Sequence, residues 1–487
     1  MKPGWKLTCG VLLAMCINSA YADEATEARV AKLQEMLEQQ QWQMKAMAEE
    51  LAALQQGRIK DKGKSEGKPV QAAFKDGLVF EDGSGDWKLQ LNGRIQADYR
   101  GFVPTEWKND GFFIRRARLG GTFTFLKDFS VRVEGEYGNV SDGSKATTAM
   151  TYGYMDFARW KEARFRAGQF KPFFGLERTY STNFLDFTEL SLATNNGAIF
   201  TSTYDRGVMV FGDPMPWLNY NFYVVNGSGQ NNDDVNDTKD YGGRINANFA
   251  KLADIKNAVI HLGVSASDGN IGFSTATGST LTQATEANGA TFFSVSGLGG
   301  TKKADRSRWG LESSLAYGPI KLSGEYIYAN FDGVTNTGTA TSPVSLPVSM
   351  QNKAFNNDIK AWYVDLNWLV TGENWADTYK NGVYGRVRPK NNMNLQNGWG
   401  ALELGLRYSS FDASDFKNLL TTTAANGSAT NFTTGAEAWT LGAKWIFNPN
   451  ARLVMNYVHT DFDTPILVNS KRSGSEDAVH VRAQYDF

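Results

Sequence analysis

From Trp87 onward, apolar and polar residues alternate along the chain with a period of two. In the stretch Trp87–Arg100, the odd positions are apolar, aromatic or glycine, and the even positions are lysine, glutamine, asparagine, arginine or aspartate. Successive side chains of a β-strand point to opposite faces, so this stretch predicts one apolar and one polar face. Strands that cross a membrane in a β-barrel have this pattern, with the apolar face toward lipid and the polar face toward a wet lumen.

Sixteen segments of the chain show this alternation. They start near residues 87, 112, 129, 150, 163, 206, 217, 240, 258, 306, 320, 358, 399, 436, 451 and 478. Connections after strands 2, 4, 6, 10 and 14 are short and those after odd strands are mostly long, whereas 250–257 and 370–397 break the rule. Short periplasmic turns that alternate with longer external loops are typical of bacterial barrels. We therefore predict an all-β, sixteen-stranded antiparallel transmembrane β-barrel over residues 77–487.

Residues 23–56 have a helical pattern instead, with apolar residues at alternating spacings of three and four. The members of this seam are Val30, Leu33, Leu37, Gln40, Met44, Met47, Leu51 and Leu54. The heptad spacing predicts a self-associating coiled-coil helix in the periplasm, and a single amphipathic helix is the alternative. Residues 57–76, rich in charge and glycine at their start, are expected to form a flexible linker.

Residues 1–22 are typical of a secretory signal peptide. The apolar run Val11–Ile17 is too short to span a bilayer, and Ala20–Ala22 fits the small-x-small cleavage pattern. A lipoprotein anchored at Cys16 is the alternative. Since Cys9 and Cys16 are the two cysteines of the chain, the mature protein is expected to lack disulfides and thiol metal sites.

Composition agrees with a membrane barrel, because glycine and aromatic residues are plentiful while the mean hydropathy is −0.39. Composition alone leaves a large secreted all-β protein open. The net charge of −1 predicts no attraction to nucleic acid. The three histidines are scattered and no nucleophile elbow, Walker loop or HExxH motif occurs, so we expect no cofactor, no metal and no enzymatic activity.

In the predicted register, eight arginines fall on the polar faces of strands. They are Arg94, Arg116, Arg118, Arg132, Arg164, Arg166, Arg206 and Arg244. Each would cost about 2–4 kcal/mol on the lipid face near the midplane, so they are expected to line the lumen. Basic rings in a pore attract anions, and the guanidinium fork fits phosphate oxygens. A general porin, in which acidic residues neutralise these arginines, is the alternative.

Residues 171–205 lie between strands 5 and 6 and lack clear periodicity. We predict that this third external loop folds into the lumen as its constriction, with Lys171 and Arg178 as basic residues of the constriction. Because acidic residues outnumber basic ones in this region, we expect the loop to set the size of the opening and the strand arginines to set the sign of the permeating ions.

Five motifs, in order, resemble the phosphate-selective porin O and P family. They include FFIRRARLGGTFTF, RAGQFKPFFGLE, GWGALELGLRYSSFD and WIFNPNARLVMNYVH. The resemblance implies a trimeric outer-membrane porin with sixteen strands, an inward-folded third loop, an arginine-lined path and a central basic site for phosphate. It matches Arg116, Arg118, Lys171 and Arg206 to basic positions of the family, whereas Leu190 stands where an arginine is expected.

Together these features predict a bacterial outer-membrane porin for passive diffusion of small anions, with phosphate or phosphorylated compounds as the preferred substrates. The expected partners are outer-membrane lipid and lipopolysaccharide, two further copies of the chain in a homotrimer, and peptidoglycan through the coil. A general or differently selective diffusion porin is one alternative. A structural or adhesive envelope protein anchored through the coiled coil is the other.

Overall fold

The computed structural model describes residues 70–487, apart from 106–107, 139–147, 197–198, 200–203, 235–236, 272–277, 300–303, 337, 340–341, 344–345, 395 and 422–430. Of the preceding segment it describes only residues 38, 39, 42 and 45. The predicted signal peptide, the predicted coiled coil of 23–56 and most of the predicted linker therefore lie outside the described residues. The chain divides into two units, Met1–Lys68 and Pro69–Phe487, and the second is described below.

Sixteen antiparallel strands form the wall of the second unit. They are β1 Trp87–Val103, β2 Gly111–Phe125, β3 Phe129–Glu136, β4 Ala149–Phe157, β5 Arg164–Phe170, β6 Asp205–Met215, β7 Leu218–Val225, β8 Asp240–Asn248, β9 Ala258–Ile271, β10 Ala304–Tyr317, β11 Ile320–Val334, β12 Ala354–Leu369, β13 Ala401–Asp412, β14 Gly435–Asn448, β15 Ala451–Val468 and β16 Lys471–Asp486.

The wall closes because β1 pairs with both β2 and β16. The β16 register runs from Asp477 opposite Val103 to Asp486 opposite Arg94. Phe487 continues it through two backbone hydrogen bonds with Gly93, each 2.9 Å long. Closure removes the free edges that an open sheet would expose. The prediction of a closed, sixteen-stranded antiparallel barrel is confirmed.

A small hairpin of Gln71–Phe74 and Leu78–Glu81 extends the sheet beyond the end of β16. Its second strand pairs with β1 from Leu78 opposite Leu91 to Glu81 opposite Lys88. The hairpin begins inside the segment predicted as linker. The physical reason is that the first residues of β1 extend past β16 and need a hydrogen-bonding partner.

Alternation along each strand separates lipid-facing from lumen-facing side chains. In β10, Trp309, Leu311 and Leu315 are exposed on the outer face, while Arg308 and Glu312, at the alternate positions, are buried inside. The polar set therefore faces the interior of the barrel, where water and internal partners solvate it.

Short and long connections alternate as expected, with one difference at the last pair. Turns of a few residues follow β2, β6, β10 and β14, whereas the β5–β6, β9–β10 and β13–β14 connections are long. The β15–β16 connection is a tight turn, in which Asn469 and Ser470 have φ of 47° and 65°. Positive φ at both central residues is typical of two-residue hairpins, and it lets β16 begin at Lys471 rather than near 478.

The remaining described elements lie in the connections. They are the helix α1 Phe249–Leu252, the 3-10 helices Val348–Met350, Trp375–Thr378 and Ser414–Leu419, and the two-stranded ladders Ser279–Ala284 with Thr291–Leu298, Gly338–Thr339 with Ser342–Pro343, and Tyr379–Lys380 with Val383–Tyr384. Among the described residues, no helix has both the length and the apolar character that a membrane crossing requires.

The lipid-facing assignment of β10 can be tested by charge insertion. Leu311→Lys places a charge in the middle of the outer face and should destabilise the barrel by about 2–4 kcal/mol. Ser307→Lys, on the same face near the strand end, should cost about 0–1 kcal/mol because lysine reaches the interface there. Equilibrium unfolding in lipid vesicles gives both values, and equal costs for the two variants would contradict the assignment.

Candidate functional site: the lumen and its constriction

The β5–β6 loop, residues 171–204, contacts inward-facing side chains on distant strands. Gln484 of β16 donates to the carbonyl oxygen of Asn183 at 3.0 Å. Lys321 of β11 lies 2.6 Å from the carboxylate of Asp186. Because β11 and β16 are well separated around the wall, these contacts place the loop across the lumen.

Phe187, near the middle of this loop, packs against two glycines of the wall. Gly405 of β13 and Gly442 of β14 are register partners, and a Cβ atom added to either would lie 2.9 Å from the Phe187 ring. The guanidinium carbon of Arg407 lies 4.3 Å from the centroid of the same ring. Because these two glycines have no side chains, the loop approaches the wall closely here.

Arg407 joins the loop to a second inward-folded segment. Its side chain is fully buried and contacts Glu177 of the β5–β6 loop at 2.6 Å. It also lies 3.3 Å from Glu286 in the β9–β10 connection and 3.6 Å from Asp365 of β12. One cation thus compensates three carboxylates from three elements, and the sequence analysis did not single it out.

The β9–β10 hairpin, formed by Ser279–Ala284 and Thr291–Leu298, also packs inside the wall. The Phe292 and Phe293 rings lie 5.4 and 5.5 Å from Phe411 of β13. They belong to a buried cluster that includes apolar side chains from β11, β12, β13 and β15, namely Ile327, Ile359, Phe411 and Phe462. The hairpin therefore fills the β11–β15 side of the barrel.

The β12–β13 segment, residues 370–400, packs against the β5–β6 loop. Trp375 and Tyr384 are buried, and the Lys321 ammonium lies 4.0 and 4.7 Å from their ring centroids. Tyr384 also contacts Tyr180 of the loop, with ring centroids 6.1 Å apart. The long connection that broke the loop-length rule thus occupies space inside the barrel.

A cavity of about 910 Å³ remains beside the β5–β6 loop. Four of the predicted site residues line it, namely Arg116, Arg118, Lys171 and Arg178. Two further arginines that the sequence analysis missed also line it, Arg115 and Arg306. Its carboxylates are Glu136, Glu177, Glu189 and Asp240. The cavity is therefore a polar passage with both signs of charge.

Arg115 reaches this cavity because β2 contains a β-bulge between Ile114 and Arg116, where the register with β1 shifts. Phe112 and Ile114 are exposed on the outer face, whereas Arg116, at the same parity, is buried inside. The bulge turns Arg115 inward, where its Nε lies 2.8 Å from Glu189. Along β2 the outward apolar residues change from even-numbered to odd-numbered positions, and this change is the sequence signal that predicts the bulge.

Three basic side chains in this region have no carboxylate within 4.0 Å among the described residues: Arg94, Arg116 and Lys171. Arg94 donates to Thr182, and Arg116 donates to the Gln96 side chain at 2.8 Å. The Lys171 ammonium donates to the carbonyl oxygens of Arg178 and Tyr180 at 2.8 and 2.7 Å. These three residues are called the uncompensated cations below.

The other predicted lumen arginines form ion pairs. Along β2–β6 the pairs are Arg118 with Glu136 at 2.6 Å, Arg132 with Glu134 at 2.8 Å, Arg166 with Asp156 at 2.7 Å, and Arg164 with Asp213. Arg244 pairs with buried Glu312 at 2.7 Å. Arg206 pairs at 2.9 Å with Asp233, whose side chain is 96% exposed, and it does not line the cavity.

Comparison with known proteins decides the family. The family model for phosphate-selective porin O and P matches residues 89–487. The chain belongs to the phosphate-selective porin O and P family. Porin O of Pseudomonas aeruginosa is 25% identical over 452 residues, which cover 87% of this chain and 94% of that protein.

Solved porin structures are similar to this chain over most of its length. An anion-selective porin from Comamonas acidovorans has a TM-score of 0.48 and 12% identity, covering 82% of this chain and all of that one. The outer-membrane channel DcaP of Acinetobacter baumannii has a TM-score of 0.48 and 14% identity, covering 84% of this chain and 99% of that one.

The family positions fall at different places in this member. Arg116 and Lys171 lie together at the cavity, Arg118 is paired there, and Arg206 does not line it. Leu190, which replaces the expected arginine, is largely buried in an apolar cluster with Leu185. The loop therefore presents an apolar contact at a position where the family resemblance implied a cation.

Removing Arg407 should disturb both the position of the β5–β6 loop and the balance of charge around it. Arg407→Gln leaves Glu177, Glu286 and Asp365 without their shared cation, and breaking a buried pair typically costs about 3–5 kcal/mol. We expect noisier single-channel current and a reversal potential shifted toward cations in planar bilayers. Adding Glu286→Gln should restore part of the selectivity, and an unchanged current in the single variant would contradict the role.

The pH dependence of ion selectivity should reflect the protonation state of Lys171. Burial lowers the pKa of Lys171 well below its ordinary value of 10.5, and the nearby Arg178 and Arg118 guanidiniums act in the same direction. As pH rises, Lys171 therefore loses its charge before an exposed lysine would, and anion preference should fall at a lower pH than the one at which exposed lysines titrate. Reversal potentials across this range measure the effect. Lys171→Arg should remove the pH dependence, whereas its persistence would assign the titration elsewhere.

Proposed function

We propose that this protein is an outer-membrane porin through which small anions diffuse passively, with phosphate or phosphorylated compounds as the preferred substrates. The observation that carries the proposal is the group of uncompensated cations at the β5–β6 loop. Arg116 is 7% exposed and Lys171 is also 7% exposed, so both charges act where little water screens them. An anion that enters the cavity supplies the negative charge that the wall does not.

Phosphate fits this group better than chloride for a geometric reason. A guanidinium presents paired donors that match two phosphate oxygens, and an ammonium adds a compact point charge. Arg116 and Lys171, which both line the cavity, provide the two kinds of donor. Membership in a family named for phosphate selectivity, and similarity to Porin O, support the same substrate class.

Passive transport needs sites that bind weakly enough to release the ion. Most lumen arginines already hold a carboxylate, so an anion meets strong attraction at a few points rather than along the whole path. The family and the barrel indicate a channel rather than an enzyme.

The assembly belongs to the same proposal. We infer a homotrimer in the outer membrane, surrounded by lipid and lipopolysaccharide, with residues 23–56 as a periplasmic coil that contacts peptidoglycan. Porins with similar folds include OmpT of Vibrio cholerae, one structure of which is described as a trimer form.

A general diffusion porin is the second candidate, and the paired arginines of β2–β6 favour it. Arg118, Arg132, Arg164 and Arg166 are each neutralised by a carboxylate, as expected of a lumen without strong ion preference. Selectivity measurements distinguish the two candidates.

Replacing the uncompensated cations should abolish anion preference. We expect wild-type protein in planar bilayers to be anion-selective, with chloride current reduced by millimolar phosphate. Arg116→Ala combined with Lys171→Met removes two unpaired charges, so the reversal potential in a salt gradient should move toward zero and the block by phosphate should weaken about tenfold or more.

Arg206→Ala combined with Arg388→Ala is the matched control, since it also removes two positive charges. Both arginines pair with exposed or half-exposed carboxylates outside the constriction. Selectivity should stay close to wild type. A cation-selective wild-type channel, or equal shifts in the two double variants, would contradict the proposal.

A further inference from the structure

The wall formed by β3–β6 holds arginines against aromatic rings. We call the following six side chains the stacked wall. They are Arg132 over Tyr152, Arg166 over Tyr154, and Arg164 over Phe211, with guanidinium-to-centroid distances of 4.4, 3.8 and 4.7 Å. Tyr152 also lies 5.1 Å from Tyr204, which lines the cavity, so the stacked wall continues from the cavity.

The stacked wall and the carboxylates paired with its arginines together carry no net charge. Each of its arginines pairs with one carboxylate, from Glu134, Asp156 or Asp213. A compact anion such as inorganic phosphate therefore gains little from long-range attraction along this stretch. The selectivity of the stacked wall must depend on something other than charge.

Planarity is the property that its members share. Guanidinium groups are flat and weakly hydrated, and they stack on aromatic faces. Arg166 contacts two rings, since Phe211 also lies near it, at 4.9 Å. Arg132 and Arg164 have one stacking partner each and retain 28% and 23% side-chain exposure, so solvent reaches part of both groups. A flat guest can cover these exposed parts as the rings cover Arg166.

We propose that the stacked wall binds the planar group of anions that combine a phosphate or carboxylate with an aromatic ring. The inference rests on the proposed anion-porin function and narrows its substrate class. The uncompensated cations attract the acidic group, and the stacked wall favours a flat ring over a puckered one. Aryl phosphates and aryl carboxylates are the class that satisfies both.

Block of chloride current in planar bilayers tests the inference with a matched pair of probes. Phenyl phosphate and cyclohexyl phosphate carry the same acidic group and differ in ring planarity. We expect phenyl phosphate to block at about a fivefold lower concentration, in keeping with one stacking contact. Arg132→Lys keeps the positive charge but removes the planar guanidinium group. Tyr152→Leu removes the aromatic ring. In each variant, the ratio of the blocking concentration of cyclohexyl phosphate to that of phenyl phosphate should approach one.

Phe222→Leu is the control, because Phe222 is 50% exposed on the outer face of β7. It should leave the ratio unchanged. Equal block by the two probes in wild-type protein would overturn the inference, and so would a ratio that survives both Arg132→Lys and Tyr152→Leu. Absence of anion selectivity would instead defeat the proposed function, whereas selectivity with equal block defeats only the stacked wall.

Discussion

Closure of the wall is the constraint on which the rest of this structure depends. A closed barrel in lipid must send charged strand residues near the membrane midplane inward, because the outer face tolerates almost none there. The lumen therefore receives far more charge than a selective path needs. Its interior is also partly filled by the β5–β6 loop, the β9–β10 hairpin and the β12–β13 segment. Buried charges in such a space must be paired or remain available to a guest.

Pairing sorts the charges into two groups. Carboxylates on the strands hold Arg118, Arg132, Arg164 and Arg166, and stacking on rings fixes several of these in place. Only where the wall offers no carboxylate, as at Arg116, does the positive charge remain available to an ion. The number of arginines in the lumen is therefore a poor guide to selectivity, and their partners are a better one.

The strands were predictable because a period of two is enforced at every membrane-facing residue, and fifteen of the sixteen predicted starts lie within four residues of the observed ones. The β16 start was placed too late because Lys471–Asp477 carries many polar residues and lacks an apolar face. The internal segments were harder, since contacts such as Phe187 on Gly405 join residues far apart in sequence without periodicity. Arg407 was missed because one arginine on a strand gives no sign that three carboxylates converge on it.

The β5–β6 loop also does more than narrow the opening. Its Glu189 contacts Arg100, Arg115 and Arg482 of three strands, and its Glu177 contacts Arg407. The loop thus adds a second carboxylate to wall arginines such as Arg100 and Arg482, which also pair with Asp98 of β1, while its own Lys171 has no carboxylate within 4.0 Å among the described residues. In the proposed anion path, charges of loop and wall therefore act on the ion together. A substitution of a loop carboxylate would change which wall arginine faces the ion without altering the wall itself.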